Sequence, residues 1–326
     1  MNVNHVDAAL QEWGNRVFNG GAVKNRIRKG MTGLRLLAPQ SSGSVAGSLD
    51  ATQVRRRLHS LAKRAPQVMV RISGGGKSIR HIKAHLDYIS RNGQIPLEDQ
   101  QGDKFIGKDD LAALRDEWRF GGFGIEDNAT TRQAFNIVLS MPAGTDDVAV
   151  LRAARDFAST EYQNYQYAMA LHTYDTDPDA GPSPNPHIHL CVKATGLDGV
   201  RLNPRKADLQ RWRESFAQRL REHGVECEAT PRIQRLQPRR GEKQSVRHKR
   251  NRGESLDRIG TAPPDSQRVK RARKAESLVV AGYRGLAQAL AASERQEDRN
   301  LALEFASEVA AGRRRKARDP DVSRDR

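Results

Sequence analysis

The clearest alternation of apolar and polar positions begins at Gln67. QVMVRIS alternates and predicts a strand. After GGGKS, residues Ile79, Ile82, Leu86 and Ile89 recur at spacings of three, four and three, which predicts an amphipathic helix from about Ile79 to Arg91. QIPLEDQQGDKFIGK has no period and reads as loop. LAALRDEWRF predicts a second helix. AFNIVLSMP is a strand, after which Thr145 or Asp146 caps the helix DDVAVLRAARDFAS. YQYAMALHTY and HIHLCVKA are two more strands. Asn203-Pro204 reads as a cap followed by proline at the first helical position. Leu209, Trp212, Phe216 and Leu220 then keep helical spacing until Gly224. Strands mixed irregularly with helices predict an α+β fold, with a central, largely antiparallel sheet flanked by helices.

The pattern divides the chain into three expected regions. Residues 1–66 form a basic, weakly structured extension in which DAALQEWGNRVF and TQVRRRLHSLAKR are short helices, joined across a flexible linker, PQSSGSVAGS. Residues 67–232 form the compact domain. Residues 233–326 form a basic C-terminal region with a helical segment from about Ser277 to Ala311 and a disordered end, GRRRKARDPDVSRDR. There is no internal repeat.

Charge sharpens this division. The formal net charge is +17 and the pI about 10.3. Residues 1–66 hold 11 Lys and Arg against 3 Asp and Glu, and residues 232–326 hold 25 against 13, so the middle is near neutral. Basic arms on a neutral domain point to a polyanionic partner, nucleic acid or an acidic membrane surface; a solvated basic tail is the plainer reading of each arm. Two cysteines, Cys191 and Cys227, are too few for a disulfide framework. The polar start shows no secretory leader and no run is long enough to span a membrane, so a reducing cytoplasm is the expected compartment.

Two segments carry candidate chemistry. In NPHIHLCVKA, residues two apart share a strand face. His187, His189, Cys191 and Lys193 therefore lie on one side and Ile188, Leu190 and Val192 on the other, which buries well. Two imidazoles at this spacing can converge on one metal ion. His172 in LHTYDTD is the natural third ligand, with Asp175 and Asp177 in reserve and Cys191 as a soft fourth or simply a buried thiol. Hydrogen-bonded structural histidines remain the alternative. In the tyrosine helix, Tyr88 lies about 140° from the centre of the apolar stripe at 100° per residue. It shares its side with His81 and His85, and Lys77, Arg80, Lys83 and Arg91 surround it with positive charge. It is either a surface tyrosine on a basic helix or a nucleophile whose proton a base removes. GGGKS lacks the spacing of a phosphate-binding P-loop; it is a strand–helix turn or a nonspecific phosphate cradle.

Taken together, VRISGGGKSIRHIKAHLDYISRNG, VLSMPAGTD, LHTYDTD…NPHIHLCVKA and HGVECEATPR resemble the relaxase or mobilisation nucleases of conjugative plasmids, members of the HUH endonucleases, with the nearest likeness in the VirD branch that nicks T-DNA borders. The resemblance spans about residues 67–232. It implies a central antiparallel sheet carrying the histidine pair and a helix carrying a catalytic tyrosine. It places the nucleophile on Tyr88 and the metal ligands on His172, His187 and His189, with a divalent cofactor, Mg²⁺ or Mn²⁺. The implied reaction is strand-specific nicking of single-stranded DNA at an origin of transfer through a 5′-phosphotyrosine.

The resemblance also implies relaxosome accessory proteins and a type IV coupling protein as partners, with export of the adduct through that secretion system. DNA contacts are expected from Lys77, Arg80, Lys83, Arg91 and Lys193, and from Arg239, Arg240, Lys249 and Arg250 in the basic arm. Three features depart from the family pattern: PDAGPSP lengthens the spacing between His172 and the pair, Asn185 stands where close relatives often have histidine, and Lys193 stands where asparagine is common. A replication initiator or transposase of the same chemistry, or a non-catalytic DNA-binding accessory protein, are the competing readings.

Overall fold

The structure is a computed structural model. It describes residues 3–19, 48–125, 127, 129–178, 181–235, 252–253 and 266–317. The expected DNA contacts at Arg239, Arg240, Lys249 and Arg250 lie outside the described residues, as do nearly all of the Ser/Gly linker and the end of the basic tail. In chain order the elements are α1 (Val3–Phe18), α2 (Ala51–Ala62), β1 (Met69–Gly74), α3 (Ile79–Ile89), β2 (Leu97–Asp99), β3 (Lys104–Phe105), α4 (Gly107–Phe120), β4 (Ala134–Ser140), α5 (Asp147–Glu161), β5 (Tyr167–His172), β6 (His187–Lys193), α6 (Lys206–Glu222), α7 (Ser266–Ala291) and α8 (Gln296–Ala317). They fall into two units: Ala65–Ala229, which holds the sheet, and a helical unit of Met1–Arg64 with Thr230–Arg326.

The sheet unit is α+β. Its six strands run in the order β1-β4-β6-β5-β2-β3, and every paired neighbour is antiparallel. One face buries Ile137, Leu139, Ile188, Leu190 and Val192 against α5 and α6, which supply Phe157, Trp212 and Phe216. The other face receives α3 and α4 through Ile82, Leu86, Ile89, Leu114 and Trp118, packed over the small residues Ala134, Ala168, Ala170 and Cys191. Small side chains let the helices lie close to the sheet, and the four stripe residues of α3 are all buried, as their spacing predicts.

Two local readings need correction. The stretch read as loop contains β2 and β3, which widen the sheet beyond β5. Strands of three and two residues are too short to show a period. They are held by the turn between them, where the Asp99 carboxylate accepts from the backbone N–H groups of Gln101 and Asp103 at 2.9 Å. The last helix of this unit begins at Lys206, not directly after Asn203, because Asp208 reaches back 2.7 Å to the Arg205 N–H and sets the first turn there.

The helical unit joins sequence-distant segments: α1 packs on α2 and α7, and α8 on α2 and α7. Its core holds Leu10, Val54, Leu58, Tyr283, Leu286, Leu290 and Phe305. The single helix expected near Ser277–Ala311 is two, broken at residues 292–295, where the Ser293 hydroxyl donates to Asp298 at 2.7 Å. Mid-helix Gly282 and Gly285 each cost about 1 kcal/mol of helix propensity. A Cβ there would stand 2.2 Å from Val17 and 2.6 Å from Trp13, so the close approach of α1 requires them. Arg55 of α2 ties Asp7 of α1 to Asp298 of α8, with both bonds at 2.7 Å. Gln234 donates to the carbonyls of Val17 and Phe18, satisfying the open end of α1. Among the described residues no helix is long and apolar enough to cross a membrane.

Candidate active site

Strand register builds the site. His187 of β6 lies opposite His172 of β5 and Ser140 of β4; His189 lies opposite Ala170 and Val138. Directly paired residues point to the same side, so three imidazoles gather on the α3 face. Ring centroids are 5.2 Å apart for His172–His187, 4.7 Å for His172–His189 and 5.0 Å for His187–His189. The longer spacing created by PDAGPSP leaves this pairing intact, because register is set along the strands.

One ligand nitrogen from each ring can lie within 4.8 Å of the others, and among the described residues this trio is the group suited to a metal ion. The His187 Nδ1–H donates to the Asn185 carbonyl at 2.9 Å, which leaves its Nε2 lone pair free to ligate. Burial and the neighbouring histidines lower the pKa of His189 to about 2, and its Nδ1 is buried with no hydrogen-bond partner. Burial lowers that of His187 as well. Neutral rings and an orphaned nitrogen fit a divalent cation. His172, fully buried, faces Asp177 through Nδ1 at 3.0 Å and the Ile89 carbonyl through Nε2 at 2.7 Å. His172 is one of the three residues that would hold such an ion, and Asp177 stands beside its ring.

The reserve ligands have other places. Asp177 accepts both prongs of the Arg91 fork at 2.8 Å, Asp175 is exposed, and Cys191 is a buried thiol pushed up to about 12 by burial.

Helix α3 brings Tyr88 to the trio. Its last turn ends on Ile89, whose carbonyl meets His172, so the preceding residue stands at the edge of the histidine face. Tyr88 is 54% exposed and its ring lies 5.7 Å from that of His189. Arg91 sits in the left-handed region, with φ 50°, immediately after the helix. From there its guanidinium lies 5.1 Å above the Tyr88 ring while it holds Asp177. Its pKa is raised, chiefly by the Asp177 hydrogen bonds against burial, and further by Tyr88. Arg91 and Asp177 thus form a chain from the phenol to His172 that the sequence reading missed; no local motif announces a partner 86 residues away. His85 lies one turn before Tyr88 on the same helix. Its ring lies 6.3 Å from Tyr88 and 6.4 Å from His189, Nε2 is buried without a partner, and burial lowers its pKa to about 4.

The other expected contacts are not gathered here. Lys77, Arg80 and Lys83 are exposed on the approach to and first half of α3. At 1.5 Å per residue, Arg80 stands about 12 Å and Lys83 about 8 Å along the axis from Tyr88. Lys193 is 2% exposed at the far end of β6, where its ammonium donates to Gln166 at 2.9 Å and to the Gly121 carbonyl at 3.2 Å.

Residues 107–225 match the family model "Relaxase: MobA/VirD2-like, nuclease domain", a span that contains the three histidines and begins after Tyr88. A stretch of 121 residues is 30% identical to the T-DNA border endonuclease VirD2 of Rhizobium radiobacter; it covers 32% of this chain and 28% of that relative's length. A solved structure titled "Molecular Basis of Vancomycin Resistance Transfer in Staphylococcus aureus" aligns over 51% of this chain and 99% of its own at 13% identity, with a TM-score of 0.32. The family model and the VirD2 likeness both point to a relaxase nuclease domain, each over about a third of this chain.

Proposed function

We propose that this protein is a DNA-nicking relaxase that cuts one strand at a specific site and rejoins it through a covalent tyrosine adduct. The observation that carries the reading is the exposed Tyr88 ring 5.7 Å from His189 at the edge of the three-histidine cluster. A phenol beside a group suited to a metal is the pairing that phosphodiester transesterification needs. Tyr88 Oη attacks the scissile phosphorus, the bond from phosphorus to the 3′ oxygen breaks, and that oxygen leaves as a free 3′-OH. The strand stays on the enzyme as a 5′-phosphotyrosine, and attack by a 3′-OH reverses the step with the phosphoester bond conserved.

His172, His187 and His189 would hold the divalent ion, expected as Mg²⁺ or Mn²⁺, which when bound supplies polarisation of the non-bridging phosphate oxygens. Arg91 holds the Tyr88 ring from above and, through Asp177, holds His172, so the nucleophile and the ligand set keep their spacing. The basic arms add sequence-independent affinity for the strand. The nick would start conjugative transfer, with accessory and coupling proteins as partners and export of the adduct, extending the endonuclease activity named for the VirD2 relative.

The test is incubation with single-stranded origin oligonucleotides and Mg²⁺ or Mn²⁺, followed by denaturing gels. A protein–DNA adduct is expected from the wild type and none from Tyr88→Phe. Equal cleavage by Tyr88→Phe would remove Tyr88 as the nucleophile, and wild type without any cleavage would remove the nuclease reading.

A further inference from the structure

The histidine face of the sheet continues beyond the histidines. Arg71 of β1 pairs with Val138 of β4, Val138 with His189 of β6, and His189 with Ala170 of β5. These four residues make one row across four strands, all on one side. At 4.7–4.9 Å per strand, Arg71 stands about 10 Å from His189 along that row. In the adjacent row, Met69 pairs with Ser140, then His187, then His172.

Coverage of this face is uneven. The core beneath α3 and α4 includes Ala168 and Ala170 of β5, Cys191 of β6 and Ala134 at the start of β4. At β1, by contrast, Arg71 and Ser73 are exposed and Met69 is half-buried. The opposite phase of β1, Val70 and Ile72, packs into the other core. The exposed part of this face is therefore β1, two strands from the trio, with the buried Val138 and Ser140 of β4 between them.

Arg71 differs from the cation nearest the phenol. Arg91 spends its fork on Asp177. The Arg71 side chain makes no hydrogen bond or ion pair among the described residues, so its guanidinium donors remain open. A planar guanidinium with open donors matches two oxygens of a phosphate.

We propose that Arg71 grips a phosphate of the DNA strand next to the scissile one, which makes the open β1 strip part of the path of the single strand. This rests on the nuclease reading and adds the direction in which the strand leaves the site. A charged residue on an edge strand also discourages sheet-to-sheet pairing, and the experiment separates that role from phosphate contact.

The probe is a fluorescein-labelled, mixed-sequence single-stranded oligonucleotide. Its binding to full-length Tyr88→Phe protein, which cannot trap it covalently, is measured across a salt series. Each phosphate contact on a single strand contributes a slope of about −0.7 in log K against log salt. Adding Arg71→Ala is expected to reduce the slope magnitude by about 0.7, and Arg71→Lys to preserve it. Lys104→Ala, which removes an exposed cation at the opposite edge of the sheet, is expected to leave it unchanged. Arg71→Gln repeats the neutral change should the alanine variant fail to fold. A folded neutral variant whose slope equals that of its Tyr88→Phe parent overturns the Arg71 assignment while leaving adduct formation by wild type intact. No single-strand binding by the parent, together with no adduct from wild type, overturns the nuclease reading and this proposal with it.

Discussion

The sheet unit and the helical unit bury their cores in opposite ways. Ala65–Ala229 is one continuous stretch whose strands pair through main-chain hydrogen bonds, and on one face it leaves imidazoles where aliphatic side chains would pack. The helical unit is assembled from both ends of the chain, and side-chain hydrogen bonds tie its distant segments: Arg55 to Asp7 and Asp298, and Gln234 to the end of α1. Buried polar groups are normally satisfied. Those with no partner in the sheet unit include His85 Nε2 and His189 Nδ1, two imidazole nitrogens beside Tyr88.

This contrast can be broken in several ways, taken from the largest effect down. The double variant His187→Ala, His189→Ala is expected to lose Mn²⁺ affinity by more than about 100-fold in calorimetric titration, since even the groups that orient a ligand are worth about 10–100-fold. Retained affinity would separate the trio from metal binding. Asp177→Asn, which weakens the support of His172 and frees Arg91, is expected to cost about 10–100-fold in the same titration. In the helical unit, Phe305→Ala is expected to cost about 3–5 kcal/mol in denaturant unfolding followed through Trp13. The folded variant should still form the tyrosine adduct. Loss of the adduct would show that chemistry and stability are not divided as the two units suggest.

Acid is expected to act on the two units in sequence. Burial lowers the pKa of His85 to about 4 and of His189 to about 2. Histidines in the unfolded chain, near 6.5, take up protons first, so this stabilisation is complete above about pH 6.5 and declines as pH falls below it. In the helical unit, burial opposes ionisation of Asp298, but hydrogen bonds from Arg55 and Ser293 prevail and lower its pKa. That contribution is present above the usual carboxylate value of about 4 and declines only below it. Fluorescence-detected melts in chelator, comparing wild type with Trp13→Phe, are expected to show the sheet unit weakening first. Simultaneous weakening would erase the distinction. The smallest effect is expected from Asp146→Ala, which removes the cap on α5 and should cost about 1 kcal/mol in chemical denaturation.

Much of the sheet unit was legible because its signals are local. Period two placed β1 and assigned His187 and His189 of β6 to one face, an apolar run marked β4, and the three-four-three spacing on α3 put Tyr88 off the buried stripe. Shorter elements failed that test, as β2 and β3 show. Lys193 shares the histidine face, as alternation requires, but which way its long side chain turns depended on Gln166 and Gly121, which strand alternation cannot reveal. Arg71 was visible in the same alternation, yet nothing in QVMVRIS says that its face continues that of His189.

By itself, the sequence determined periodicity, the placing of charge at the two ends, and the identity of the groups able to attack or ligate, because each of these is a property of neighbouring residues. The tertiary structure alone decided that His172 meets His187, that Arg91 reaches Asp177 across 86 positions, and that the first and last helices share a core. Those are long-range contacts. Their loop-closure entropy is repaid only by the assembled sheet and bundle, so no short stretch of the chain carries their signal.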